Sequence, residues 1–245
     1  MFETLFFQSE KQNRKRCIKY FADVLHEIKH SHIIVTDSDE TVSMDDTSNI
    51  FFETSGLLNK KDKIKEIFKT HGITYDGFAR AYTEYLSIPE NIFKNACTET
   101  TKKAKIRQDW SSFLEHNTTP IIFVTAGIMD IWKQIIKYHK WQNIILIGSH
   151  DNIIISPSVK GDLIKKLKKN DKKVLAFGDS RLDCPMLIES NVGYVIPNIR
   201  GSIGVSNIVK NYPHIRQITM EYPKIPDVQS CMFKDAIKSF FDTRY

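Results

Sequence analysis

Five short apolar runs constrain this chain more than anything else in it. Residues 33–36, 121–124, 144–147, 174–177 and 192–196 are rich in Ile and Val and do not alternate with polar residues. A strand with one wet face alternates; a strand covered by helices on both faces does not. Helical patterns separate most of the runs. Over 128–140, Ile128, Ile131, Trp132 and Ile135 recur on one side, and 160–169 carries Leu163, Ile164 and Leu167 in the same way. A further helix over 10–30 aligns Ile18, Phe21, Leu25 and Ile28. Strand–helix–strand repetition of this kind predicts an α/β fold built on a doubly wound parallel sheet.

One connection breaks the rhythm. Between the first and second runs lie residues 43–117, far more than a crossover needs, with helical patterns and no strand pattern. Helices are predicted over 60–70, 74–86 (with Thr74 as N-cap) and 101–115. The expected organisation is a core of residues 1–42 and 118–245 with an inserted, mainly helical cap of residues 43–117 over the site. The tail reads as an irregular stretch holding Pro213, Pro223 and Pro226, followed by a helix from about 230 to 241.

Composition narrows the setting. No apolar run approaches the ~20 residues a membrane span needs. Phe6-Phe7 is too short for a secretory leader, and the basic cluster from Lys11 to Arg16 follows it instead of preceding it, so a cytoplasmic protein is expected. Cys17, Cys97, Cys184 and Cys231 lie far apart without a CxxC, and the histidines form no HExxH, so neither a disulfide framework nor a zinc site is expected. Lys and Arg number 35 against 29 Asp and Glu, which suits anionic substrates. Much of that excess is Lys160, Lys165, Lys166, Lys168, Lys169, Lys172 and Lys173. Apart from Lys160 these read as the solvated face of a helix; a charge run alone gives nucleic-acid binding only weak support.

Polar signatures follow four of the apolar segments. Asp37-Ser38-Asp39-Glu40-Thr41 follows the first run, Thr125 the second, and Gly178-Asp179-Ser180-Arg181-Leu182-Asp183 the fourth, while Lys160 stands in the helix after Ser156-Pro157. In a parallel sheet the carboxyl ends of strands converge on one crevice. Asp37 and Asp39 are two apart, so in extended chain their side chains point the same way. One can attack phosphorus while the other reaches the leaving oxygen. Mg²⁺ takes oxygens from one or two carboxylates plus water and phosphate, which Asp37 and Asp179 satisfy, with Asp183 one helical turn on. Thr125 can bond a phosphoryl oxygen, and Lys160 offsets the negative charge of Asp37 and the phosphate. Each residue alone has an ordinary structural reading; all of them in order do not.

The order DxDxT, strand-terminal Thr, Lys, GDxxxD resembles the haloacid dehalogenase superfamily over about residues 31–42 and 118–198. Ser158-Val159-Lys160-Gly161-Asp162-Leu163, Thr125-Ala126-Gly127 and Cys184-Pro185-Met186-Leu187 are similar to its phosphoserine-phosphatase-like branch, which keeps its cap between the first two signatures. The resemblance implies a Rossmann-like core and Mg²⁺-dependent hydrolysis of a phosphomonoester. Asp37 would be the nucleophile that forms an aspartyl-phosphate. Asp39 would be general acid and then general base, with its backbone carbonyl on Mg²⁺. Thr125 and Lys160 would hold phosphoryl oxygens, Asp179 would ligate the metal and Asp183 would support the metal site. The implied partner is a small phosphorylated metabolite or nucleotide.

Two departures stand out. Glu40 takes a place where most relatives have Gly, and Leu182 one where phosphoserine phosphatases have Asn. Leucine cannot make the polar contact of Asn, which argues against phosphoserine. A phosphomutase would use the same Asp37 and Asp39, and a binding module on a retained scaffold would show decay of the signatures, of which no acidic position is lost. For the cap, the candidate contacts are Glu53, Arg80, Tyr82 and Arg107.

Overall fold

The computed structural model describes residues 9–198, 202–220 and 224–242, so Phe6-Phe7 and Pro223 lie outside the described residues. Seven parallel strands form one sheet in the order β3-β2-β1-β4-β5-β6-β7. They are β1 (His32–Thr36), β2 (Ile121–Val124), β3 (Ile144–Ile147), β4 (Lys173–Gly178), β5 (Val192–Val195), β6 (Ile215–Ile218) and β7 (Ser230–Cys231). The five expected strands are all present, within a residue or two of their expected bounds. The tail, expected to be irregular, supplies the last two strands at one side of the sheet, β6 and the edge strand β7. Their apolar content is too short, and in β6 too interrupted by Arg216 and Gln217, to announce itself; pairing of β6 with β5 and of β7 with β6 makes them strands.

Period-two geometry splits each strand between two apolar layers. Ile33, Val35, Ile122, Val124, Val174 and Ala176 face α1 (Glu10–Leu25) and α8 (Pro157–Lys169). Ile34, Ile121, Phe123, Leu175 and Phe177 face α6 (Gln108–His116), α7 (Met129–Tyr138) and α11 (Phe233–Asp242). With both faces covered, the sheet is the doubly wound one that unbroken apolar runs predict. The short α9 (Cys184–Glu189) and α10 (Ser202–Val209) complete the core connections.

Between β1 and β2 the chain forms α2 (Thr47–Ser55), α3 (Leu58–His71), α4 (Tyr75–Leu86), α5 (Glu90–Lys103) and α6. Thr74 caps α4 as expected, its hydroxyl accepting from the Gly77 N–H at 3.3 Å. The helix expected over 101–115 is corrected. The chain leaves helix after Lys103, turns extended through Ala104 to Arg107, and starts α6 at Gln108. In the gap Ile106 pairs antiparallel with Ser43. Helical periodicity alone carried through the break because Trp110 and Leu114 happen to keep phase with Ile106, but they face the sheet, where Trp110 meets Phe177 and Phe233 at ring-centroid distances of 5.2 and 4.8 Å. Among the described residues, no helix is long and apolar enough to cross a membrane.

Candidate active site

The strand order puts β1 between β2 and β4, so the residues after these three strands meet. Asp37 leaves β1 with its N–H on the Phe177 carbonyl of β4, at 2.9 Å. Asp37, Asp179 and Asp183 are all buried, and one oxygen from each lies within 4.8 Å of the other two. Lys160, 1 % exposed, reaches them from the first turns of α8. Its Nζ donates to Asp37 Oδ1 at 2.5 Å and to Asp183 Oδ1 at 2.7 Å. A buried ammonium needs such partners, since an unpaired charge in this surrounding would be lost to neutralisation. Asp183 spends its other oxygen on the loop, accepting from the Asp179 and Ser180 N–H groups and the Ser180 hydroxyl at 3.2, 3.1 and 3.0 Å. A side chain on Gly178 would put its Cβ 2.3 Å from that of Asp183, so the first residue of GDxxxD has to be glycine.

Asp39 has different company. Its Oδ1 accepts from the Thr47 N–H at 2.9 Å and the Thr47 hydroxyl at 2.5 Å, where α2 begins. Its Oδ2 accepts from Thr125 Oγ1 at 3.3 Å and from Trp132 Nε1 at 3.4 Å. Thr125 is itself fixed, its Oγ1 accepting from the Gly127 N–H at 2.9 Å. A Cβ on Gly127 would come within 2.7 Å of Asp39 Oδ2. Directly after Asp39 the chain turns through Glu40 at φ 55°, the left-handed region where a side chain is strained and glycine is not. Here the turn is held from outside: Arg107 donates to the Glu40 carbonyl at 2.8 Å.

Charge and burial set the protonation of these groups. Burial pushes Asp37 up to about 8, with the nearby Lys160 ammonium pulling it back down. Burial likewise raises Asp39, against the hydrogen bonds from Thr47 and Trp132. Asp179 is held well above the ordinary carboxylate range by burial and then by Asp183 and Asp37. Burial and mutual repulsion disfavour negative charge on Asp37 and Asp179, and a bound cation would offset both. Hard oxygen donors of this kind fit a divalent cation such as Mg²⁺.

A cavity of about 440 Å³ opens onto this cluster, and Asp37, Asp39, Lys160 and Asp179 line it together with side chains of α2, α3 and α4. The sequence-predicted core residues therefore come together. The cap candidates divide. Tyr82 lines the cavity. Glu53 instead sits 64 % exposed beside Lys61, and Arg80 is 45 % exposed on Asp76, 3.0 Å away. Arg107 is buried and holds the Glu40 turn. Periodicity could not tell these apart, because which face of each insert helix turns to the cavity depends on how the helices pack on one another.

Several participants escaped the sequence reading. Thr41, the last residue of DxDxT, donates to Asp179 Oδ1 at 3.2 Å, and Asn198 donates to Asp179 Oδ2. Thr41 was visible in the signature itself; Asn198, Thr47 and Trp132 belong to no short motif.

No family model and no curated protein matches the chain. Solved structures do. A HAD family hydrolase from Salmonella enterica serovar Typhi is 12 % identical, with a TM-score of 0.55 over 85 % of this chain and 76 % of that one. A phosphoserine phosphatase in its apo form is 11 % identical, with a TM-score of 0.53 over 88 % of this chain and all of that one. Cytosolic 5′-nucleotidase IIIB bound to cytidine is 13 % identical, with a TM-score of 0.52 over 96 % and 92 %. Topology, strand-end cluster and these likenesses agree: the chain has the fold of the haloacid dehalogenase superfamily hydrolases, phosphoserine phosphatases among them.

Proposed function

We propose that this protein is a Mg²⁺-dependent phosphomonoester hydrolase that works through an aspartyl-phosphate on Asp37, acting on a small phosphorylated metabolite or nucleotide. The observation that carries the reading is the buried meeting of Asp37, Asp179 and Asp183 with Lys160 at the ends of β1 and β4, on the wall of a cavity. Both the fold and the names of the similar structures support it.

The chemistry divides between the two aspartates. Asp37 attacks phosphorus, the ester P–O bond breaks, and Asp39 gives its proton to the leaving oxygen. Burial that raises Asp39 favours the protonated form this step needs. Asp39, now a carboxylate, takes a proton from water as that water attacks the aspartyl-phosphate. The P–O bond to Asp37 breaks, phosphate leaves and the carboxylate returns. Thr47 and Trp132 keep Asp39 aimed at the same place through both half-reactions. Lys160 and Thr125 are placed to hold phosphoryl oxygens, and Lys160 also favours the charged form of Asp37 against the burial that raises it. Asp37, Asp179, Asp183 and the Asp39 carbonyl would hold Mg²⁺, which supplies positive charge against the phosphoryl oxygens. Residues 43–117 act as a cap on a core of residues 1–42 and 118–245, since α2, α3 and α4 complete the cavity wall.

Hydrolysis of p-nitrophenyl phosphate tests the proposal. The full chain with Mg²⁺ should release p-nitrophenol, and Asp37→Asn should not. An Asp37→Asn protein with normal turnover would sink the mechanism.

A further inference from the structure

The cavity also constrains the alcohol that leaves. On the phosphomonoesterase reading above, we propose that the substrate's leaving group carries a neutral or anionic aromatic ring, as in a nucleoside or an aryl phosphate, and that phosphoserine is excluded.

The wall contributed by the insert is made of rings and aliphatic groups. Phe52 of α2, Ile64 and Phe68 of α3, and Phe78, Ala81 and Tyr85 of α4 line it. Phe52 and Tyr85 lie nearly parallel, 21° apart with centroids at 5.7 Å, while Phe68 and Phe78 meet edge to face at 5.0 Å. The ring pairs fix one another's orientation, so the wall is built before a ligand arrives. On the opposite side Leu182 adds a further apolar group. The volume of about 440 Å³ falls among cavities that take a drug-sized molecule, more than a phosphate and a three-carbon amino acid require.

The polar groups of this wall are already engaged. Asp46 accepts from the Ser48 N–H and the Asn49 side chain at 2.9 and 2.8 Å. The Tyr85 hydroxyl bonds Ser48, and the Tyr82 hydroxyl bonds the backbone of Asp151. Lys61 and Lys65 of the wall are paired too, with Glu53 at 3.5 Å and Asp62 at 3.3 Å, so the ammonium and carboxylate of a phosphoserine would have to break such pairings to find partners of their own. A ring brings only faces and edges.

Aromatic walls also attract quaternary ammonium groups. Here Lys61 and Lys65, one helical turn apart on α3, both line the same cavity. The Glu40 and Asp46 carboxylates line the cavity as well, Asp46 pushed up to about 6 by burial, so with the two ammonium groups this wall has no net negative charge to draw a cationic head.

The experiment uses the full chain with Mg²⁺ and four esters, a 5′-mononucleotide, phosphotyrosine, phosphoserine and phosphocholine, with the small acyl phosphate acetyl phosphate as the ring-free reference. A ring-bearing ester should exceed phosphoserine and phosphocholine in kcat/KM by about tenfold or more, the scale of one good stacking contact. The nucleotide and phosphotyrosine arms decide between a nucleoside and an aryl source. Tyr85→Leu and Phe78→Leu should each lower the ratio of kcat/KM for the best ring ester to that for acetyl phosphate by roughly tenfold, through KM, and Tyr85→Phe should restore it. Phosphoserine or phosphocholine turned over as well as the ring esters would overturn the proposal, and so would ratios unmoved by both leucine variants. Calorimetric titration of Asp37→Asn protein with the same esters separates the two readings. Binding of ring esters without turnover by the unaltered chain defeats the phosphatase; turnover of acetyl phosphate without preference for rings defeats only the aromatic chamber.

Discussion

The strand-end floor of the cavity and its helical wall are built on different terms. On the floor, every functional side chain hangs from the loop that leaves a strand or from the first turns of the helix that follows. Neighbouring strands fix their spacing through backbone bonds: Asp37 sits where β1 meets β4, and Thr125 where β2 meets β3, its N–H on the Ile147 carbonyl at 2.9 Å. In the wall, position comes from side chains packing on side chains, as where α2 meets α5 and α3 meets α4. The cluster of buried carboxylates with Lys160 belongs to the floor, and most of the rings belong to the wall. A ladder of backbone bonds tolerates little variation in geometry, whereas a packed helical face can be re-cut residue by residue without disturbing the chemistry below it.

The sharpest way to break this contrast is at the floor. Asp37→Asn should lower kcat/KM for every phosphoester by about 10⁴-fold or more, since the nucleophile and its charge are gone. A variant that lost one substrate and kept another would show that floor and wall are not separate. Removing divalent cations with EDTA should likewise abolish turnover of all esters, with recovery on adding Mg²⁺; undiminished rates in chelator would remove the metal from the reading. Asp39→Asn should cost about 10²- to 10⁴-fold, more for poor leaving groups than for p-nitrophenol, because a good leaving group has little use for a proton.

Smaller effects sharpen the wall. Glu53→Ala and Arg80→Ala should change the preference between a natural ester and acetyl phosphate by less than about twofold, since both side chains face solvent. A large change in that ratio would place them in the cavity after all. The smallest effect lies at the seam. Glu40→Gly should stabilise the fold by up to about 1 kcal/mol, read from the urea midpoint, because glycine accepts φ 55° without strain. A destabilised variant would mean that the Glu40 side chain contributes more than its backbone costs.

Much of the floor was legible because the sheet writes it into the sequence in two ways at once. Unbroken apolar runs such as 121–124 give the strand, and the polar residue that ends the run gives the site. Asp37, Thr125, Lys160, Asp179 and Asp183 could be read in this manner. The partners that orient them could not. Trp132 looks like one more apolar residue on the stripe of α7, and only the fold turns its ring nitrogen toward Asp39. Nor could α2 be read: Thr47–Ser55 owes its helix to the Asp46 cap and to burial of Phe51 and Phe52, both signals too short to stand above the background. The tail strands β6 and β7 exist through pairing, a non-local term that no window of sequence contains.

The short pairing of Ser43 with Ile106 has a mechanical meaning. Met44 donates to the Lys105 carbonyl at 2.7 Å and Arg107 to the Val42 carbonyl at 3.0 Å, so the strands entering and leaving α2–α5 are stitched into one neck. Two loose tethers would let that block slide, tilt and twist independently. One stitched neck leaves it a single pivot, so any swing must be rotation about an axis a few residues from Asp39. Since Thr47 stands on the swinging side and grips the Asp39 carboxylate, such a rotation would turn the proton-carrying group like a key on the same shaft.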